Sequence, residues 1–389
     1  MKKRMLGIAI IGTGAISDSH IEGYLQMKDY CCVLALVNRT AKRAQERKER
    51  FHLEKAKVFA SLDELFDSGI HIDLASVCLP PSMHCETSIR LLERGIHVLC
   101  EKPMAPSLAD CDRMIKAAER GGANLSIVAQ NRFKADVMRA HGLLESGVLG
   151  RRFFAQCNSF WWRGENYYKL HWRGTWESEG GGCTLNHGIH HMDLLLWMMG
   201  PVSSVTALVE NEAHANSETE DVSIGILRFE NGGVGSVANS LLHHGEKQSL
   251  MIDCEKGSIE LPWRLEASRQ RPNGYPETNE ELLKQLQKAG QKINPQLQGF
   301  PGQIEDVVMS VLEKRKPLVT GEDGRRVIEL ISGIYQSAFL NQTVYFPMDS
   351  QEPFYTAEGI QKHACHFHEK TDSVDAFEDD TLVNVGGTL

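Results

Sequence analysis

Along the first third of the chain, short apolar runs alternate with longer segments whose apolar positions recur every three to four residues. Residues 6–11 form the first such run and close on Gly12, and a helical pattern starts near Ala15. Residues 32–37 make a second β-rich run, followed by a charged helix over 40–51. Residues 74–79 read as a strand stopped by Pro80 and Pro81, after which Ser82 is placed to cap a helix running to Gly95. A strand over 97–100, a helix over 107–120 and a strand over 125–129 complete this part. Strands alternating with helices predict βαβ units and a parallel sheet.

The pattern then changes. Residues 152–162 and the runs between 202 and 261 are longer strand patterns with little helix between them. Residues 222–229 alternate, and 233–242 follow after Asn231-Gly232, a strong hairpin signal. One apolar helix over about 183–199 is preceded by Gly180-Gly181-Gly182 and ended by Gly200-Pro201. Residues 269–300 are rich in polar residues and read as a surface excursion with one helix, and 303–314 and 323–338 look helical. From Met348 the chain turns polar and acidic. The expected fold is an α/β Rossmann domain over 1–127, then an α+β domain with a large, mostly antiparallel open sheet over 128–348. Residues 349–389 form a C-terminal extension.

The 389 residues suit two domains, and a hydrophobic fraction of 42% with 24% charged residues is ordinary globular composition. A net charge of −9 without an extended basic cluster argues against nucleic acid as a partner. The apolar run after Lys2-Lys3-Arg4 is too short for a signal-peptide core or a membrane span. The ten cysteines include no C-x-x-C pair, so the chain is expected to be cytoplasmic with free thiols.

The first chemical signal is Gly12-Thr13-Gly14-Ala15-Ile16-Ser17, which follows a strand and opens a helix. Gly12 permits the tight turn, and Gly14 lets the backbone approach a pyrophosphate at the helix N-terminus. An acidic residue at the end of the second strand would bind the ribose hydroxyls and repel a 2′-phosphate. Asn38-Arg39-Thr40 stands there instead. Arg39 suits a 2′-phosphate, a slight lean to NADP, but as a solvated residue stacking on adenine it leaves NAD equally open.

Glu101-Lys102-Pro103 follows directly on a strand, where an open α/β sheet places its ligand crevice. A lysine there can position a hydroxyl or accept a proton, or simply be a surface residue. In the glycine-led helix, Asn186, His190 and Asp193 are spaced i, i+4, i+7 and share one face. His190 suits a general base near neutrality, Asn186 can hold a substrate hydroxyl, and Asp193 reads as a structural partner. His187 and His191 lie on a neighbouring face and read as satisfied or solvated. No third ligand stands at metal spacing, so no metal is expected. Trp161, Trp162, Arg163, Tyr167, Tyr168, Trp172 and Arg173 cluster between strand and helix. Aromatic rings stack on pyranose faces and arginines bond hydroxyls, though each residue alone reads equally as core.

These pieces, with the stretches 79–84, 97–103, 130–133 and 321–326, resemble the Gfo/Idh/MocA family, named for glucose–fructose oxidoreductase, inositol dehydrogenase and a rhizopine-catabolism protein. The resemblance covers about residues 5–348. It implies a Rossmann domain followed by a domain on a large open sheet, with the site between them. It implies that Lys102 and His190 are the catalytic pair, with Asn186 beside them and Glu101 near the nicotinamide ribose. It also implies a cis Lys102–Pro103 peptide. The implied cofactor side comprises Gly12, Thr13, Gly14, Ala15, Ile16, Asn38, Arg39, Leu79, Pro80, His84, Glu101, Lys102 and Gln130. The candidate substrate side, taken with the aromatic and arginine cluster above, comprises Arg132, Trp161, Trp162, Arg163, Tyr168, Trp172, Arg173, Asn186 and His190. An asparagine at 186, where inositol dehydrogenases carry aspartate, weakens an Asp–His relay and resembles the branch acting on nucleotide sugars and glycosides.

The leading reading is an NAD(P)-dependent oxidoreductase acting on a secondary hydroxyl of a sugar, glycoside or cyclitol. A second is a glycoside-processing enzyme whose tightly held cofactor oxidises a ring hydroxyl transiently. A third is a cofactor-binding regulatory protein, against which Lys102 and His190 both argue. An apolar outer sheet face predicts a homodimer or homotetramer, with no nucleic acid or membrane partner. His363, Cys365, His366 and His368 in the extension read as ligands for a metal or as one side of a helix packing back on the body.

Overall fold

The computed structural model describes residues 5–375 and divides into two compact units. The first comprises the chain up to Phe133 together with Gln296–Arg325; the second comprises Lys134–Pro295 and the described chain from Arg326 onward.

The first unit is built on a parallel sheet of six strands in the order β3-β2-β1-β4-β5-β6. These are β1 (Leu6–Ile11), β2 (Cys31–Val37), β3 (Lys57–Phe59), β4 (Leu74–Val77), β5 (His97–Cys100) and β6 (Leu125–Ile127). β1 and β4 are buried at every position, as an apolar run covered on both faces requires. β3 and the helix Leu62–Asp67 were not expected from the pattern. Three residues are too few to display a period, although Ser61 does cap that helix by accepting from the Glu64 N–H.

The expected boundary at residue 127 falls inside this unit. Gln303 explains why: its Oε1 accepts from the Ala129 N–H at 2.9 Å and its Nε2 donates to the Ile127 carbonyl at 2.8 Å. The helix Gly299–Glu313 thereby closes the end of β6, and Ile304, Val307 and Val308 join the core with Ile8, Ile10 and Ile21. Contacts this distant in sequence leave no local pattern to read.

The second unit carries a nine-stranded sheet, β14-β13-β12-β11-β7-β10-β9-β8-β15. Its strands are β7 (Arg152–Phe160), β8 (Val202–Glu210), β9 (Val222–Phe229), β10 (Val234–Ser240), β11 (Gln248–Cys254), β12 (Gly257–Leu261), β13 (Arg264–Gln270), β14 (Pro276–Thr278) and β15 (Val344–Tyr345). Only β7 and β10 pair in parallel. The β9–β10 hairpin turns at Asn231-Gly232, where Gly232 has φ +86° and Asn231 Oδ1 accepts from the Gly233 N–H. Buried and exposed positions alternate along β9, as one covered sheet face dictates.

The helix expected over 183–199 is interrupted. Residues Thr184–Gly188 form a π turn, and the regular α-helix runs only over Ile189–Met199. The excursion contains the helix Glu280–Gln291, and the extension contains the helix Ala357–His363. Among the described residues no helix is long and apolar enough to cross a membrane.

Candidate active site

β1 runs straight into Gly12, whose φ is +92° and where a Cβ would lie 2.4 Å from the Cys78 carbonyl oxygen. No side chain fits that turn. Gly14 is different, because a Cβ there would meet nothing within 4 Å. Its glycine leaves an exposed stretch of backbone just before the helix Ile16–Gln26, which no side chain caps. Ser17 at the third fingerprint position is fully buried and its Oγ donates to the Gly14 carbonyl. Thr13 is buried and accepts from Asn38 Nδ2 at 2.6 Å, joining the loop to the end of β2. Asn38 Oδ1 also accepts from the Thr40 N–H, so Asn38 is used internally, whereas Arg39 is exposed.

At the end of β5, Glu101 is 6% exposed while Lys102 is partly exposed, and the Lys102–Pro103 peptide is cis. Glu101 Oε1 lies 2.9 Å from His20 Nε2, and Oε2 accepts from the Lys102 N–H. His20 Nδ1 lies 3.0 Å from Ser76 Oγ, which is 2.8 Å from the Tyr24 hydroxyl. Burial alone would raise the Glu101 pKa, but the hydrogen bond and charge of His20, with Lys102, bring it below the ordinary value. An ionised Glu101 can only accept, so His20 donates to it through Nε2–H.

His84 is fully buried, with Nδ1 2.8 Å from the Pro103 carbonyl and Nε2 2.8 Å from the Leu79 carbonyl. It therefore braces the end of β4 against the Lys102-Pro103 turn. Burial holds its pKa below the usual imidazole value. Leu79 is half-buried and Pro80 exposed. Gln130 follows β6, and its buried Oε1 has no hydrogen-bond partner. Arg132 is 2% exposed and faces Asp323 at 3.6 Å.

In the second unit, Asn186 sits within the π turn and its Nδ2 donates to the carbonyls of Gly181 and Gly182 at 2.9 and 3.2 Å. The wider π turn changes the helical phase between residues 186 and 190, so a plain i, i+4 face does not describe them. Asn186 and His190 are both partly exposed, whereas Asp193 is buried. His191 is fully buried with Nδ1 2.8 Å from Ser159 Oγ, and burial, with a smaller contribution from Lys134, pushes its pKa down to about 3. The His187 ring lies among Trp161 and Tyr167.

The aromatic segment divides. Trp161 and Tyr168 are buried in a small core with Cys183 and Leu241. Trp162 is exposed and Trp172 half-buried. Arg163 pairs with Glu246 at 2.7 Å. Arg173 pairs with buried Glu179 at 2.8 Å, and its guanidinium lies over the rings of Tyr167 and Trp172. The extension straps this segment down. Val374 exchanges backbone bonds with Lys169 and His171, and Asn216 bonds both the Tyr168 carbonyl and the backbone of Thr371 and Asp372. Of the histidine and cysteine group there, His366 faces Glu218, His363 lies against the Phe354 ring, and the Cys365 carbonyl accepts from Trp176.

His20, Ser76, Tyr24, Glu179, Glu220 and Tyr335 were not singled out from the sequence. A signal existed for His20, since Ser17, His20, Ile21 and Tyr24 are buried at i, i+3, i+4, i+7 on one helix. Polar residues in a core stripe need partners. Glu220 and Tyr335 had no such signal.

The exposed backbone at Gly14, the uncapped helix and the partnerless Gln130 Oε1 fit a nicotinamide dinucleotide on the first unit. Residues 6–128 match the model of an oxidoreductase family with an NAD-binding Rossmann fold, and residues 137–260 match the GFO/IDH/MocA C-terminal domain. The chain is 25% identical over 357 residues to D-glucoside 3-dehydrogenase of Escherichia coli strain K12, covering 87% of this chain and 97% of that protein. It is 27% identical to the WlbA dehydrogenase of Bordetella pertussis, solved with NADH and UDP-GlcNAcA; the TM-score is 0.77, over 90% of this chain and 100% of that one. A levoglucosan dehydrogenase solved with NADH and levoglucosan shares the fold at 19% identity, with a TM-score of 0.76 over 89% of this chain and 100% of that one.

Proposed function

The chain belongs to the Gfo/Idh/MocA family of oxidoreductases, and from that premise we propose that it interconverts a secondary hydroxyl and a ketone on the ring of a glycoside, at carbon 3 of a pyranoside. Bound NAD or NADP supplies the hydride acceptor or donor. Lys102 and His190 handle the hydroxyl proton, with His190 as the base and Lys102 polarising the oxygen. A neutral imidazole is suited to this near pH 7, because the alcohol must lose its proton as the hydride departs. Asn186, whose Nδ2 donates to the glycine turn, holds a neighbouring substrate hydroxyl. Exposed Trp162 and half-buried Trp172 offer ring faces for a sugar.

The observation that carries this reading is the end of β5, where a buried Glu101 is held ionised by His20 immediately before Lys102. At the ribose end no carboxylate follows β2, and exposed Arg39 favours NADP, whereas the WlbA relative holds NADH. The exposed apolar face of β8 and β9 supports self-association into a homodimer or homotetramer.

The test is a panel of glucosides, anhydrosugars, cyclitols and nucleotide sugars, assayed for reduced nicotinamide with each cofactor. Active substrates are then labelled with deuterium at each ring carbon in turn. Transfer of label from carbon 3 is expected. Transfer from an open-chain aldehyde carbon, or full activity in His190→Ala, would refute the assignment.

A further inference from the structure

We propose that Glu220 and Tyr335 are positioning residues for this reaction: together they anchor the glycine turn and the π turn that carry Asn186 and lead into His190. The inference rests on the function proposed above.

Glu220 is fully buried. Its Oε2 accepts from the Gly182 N–H at 2.9 Å, and its Oε1 accepts from the Thr184 N–H and the Tyr335 hydroxyl, each at 2.9 Å. Its own carbonyl accepts from the Cys183 N–H. Three successive residues at the entrance to the π turn are thus tied to one acidic residue 36 to 38 positions away. The same pair accounts for two of the glycines. A Cβ on Gly182 would lie 2.0 Å from the Glu220 carbonyl oxygen, and one on Gly181 would lie 2.4 Å from the Tyr335 hydroxyl. Gly181 and Gly182 are glycine so that carboxylate and phenol can approach the backbone. The carbonyls of these glycines then hold Asn186 Nδ2. A rigid path therefore runs from Tyr335 through Glu220 and the glycine turn to the Asn186 amide, without Glu220 touching substrate.

The titratable groups facing Glu220 are Tyr335, Cys183 and Tyr168, with Asp221 next in the chain and itself bound to His214. Burial pushes the Glu220 carboxyl up to about 7. A protonated carboxyl is a weaker acceptor than a carboxylate and adds an O–H beside the backbone N–H donors, so the anchor weakens as pH falls through neutrality.

Glu220→Gln imposes the weakened state at every pH. With a glycoside found active in the panel, kcat is expected to fall about ten- to hundredfold at pH 8, because small displacements of a positioned group are costly. The dissociation constant for NADH should stay unchanged. The wild-type to variant ratio of kcat/KM should rise as pH passes upward through about 7, a signature in which any His190 titration common to both proteins cancels. Amide exchange at Gly182 and Thr184 should accelerate. Tyr335→Phe, which removes one donor and leaves the carboxylate, should give a smaller loss and keeps the test open if the glutamine variant folds poorly. Equal kcat in both variants, or a pH-independent ratio, would overturn the inference. A wild-type protein that reduces nicotinamide with no ring alcohol would defeat the proposed function instead, while accelerated exchange in Glu220→Gln would still support the anchor.

Discussion

His20 Nε2 lies 2.9 Å from Glu101 Oε1, so a helix following the glycine loop and the end of β5 are joined through one buried hydrogen bond. The bond sits at the head of a chain through Ser76 to Tyr24, and each group in it has a partner. Removing the imidazole leaves a buried carboxylate short of a donor, which costs more than the net value of the bond. His20→Ala is expected to weaken NADH binding by about tenfold, with a smaller change in the KM for sugar. Fluorescence titration of NADH measures it, and unchanged affinity would remove His20 from the cofactor site.

Lys102 is partly exposed at the end of a strand whose preceding residues are buried. Lys102→Ala should lose about two to four decades of turnover while keeping most of its cofactor affinity, the pattern of lost acid–base chemistry. Near-normal steady-state turnover would exclude the role.

Arg39 is exposed after β2, and Asn38 beside it is occupied with Thr13 and Thr40. Arg39→Asp should move cofactor preference from NADP towards NAD, since a carboxylate binds ribose hydroxyls and repels a 2′-phosphate. Comparing kcat/KM for both cofactors decides it; identical ratios in wild type and variant would show that Arg39 does not read the 2′ position.

Leu208 and Ile226 are 66% and 67% exposed on the outer faces of β8 and β9, with Ile224 at 52% beside them. Adjacent exposed aliphatics on a sheet are a partner surface. The wild type is expected to be a homo-oligomer, and the double variant Leu208→Asp/Ile226→Asp a monomer that binds NADH normally. Light scattering at micromolar concentration reads both masses. A wild-type monomer would contradict the prediction.

The amino-acid sequence by itself determined the strand–helix alternation of the first unit, the Asn231-Gly232 hairpin and the glycine loop after β1. Each rests on period or on backbone permission within a dozen residues, and Gly12 at φ +92° shows that permission in use. Lys102, Asn186 and His190 were legible as candidates for the same reason, since a strand end and a glycine-led helix mark them locally. Tertiary structure alone decided what holds those residues. His20 reaches Glu101 across 81 positions, and Tyr335 reaches Glu220 across 115. It also decided that residues 296–325 complete the first unit, and that a π turn breaks the helical phase between Asn186 and His190. A buried polar group is satisfied by whichever donor the folded chain brings within about 3 Å, a condition on space that no spacing along the chain encodes.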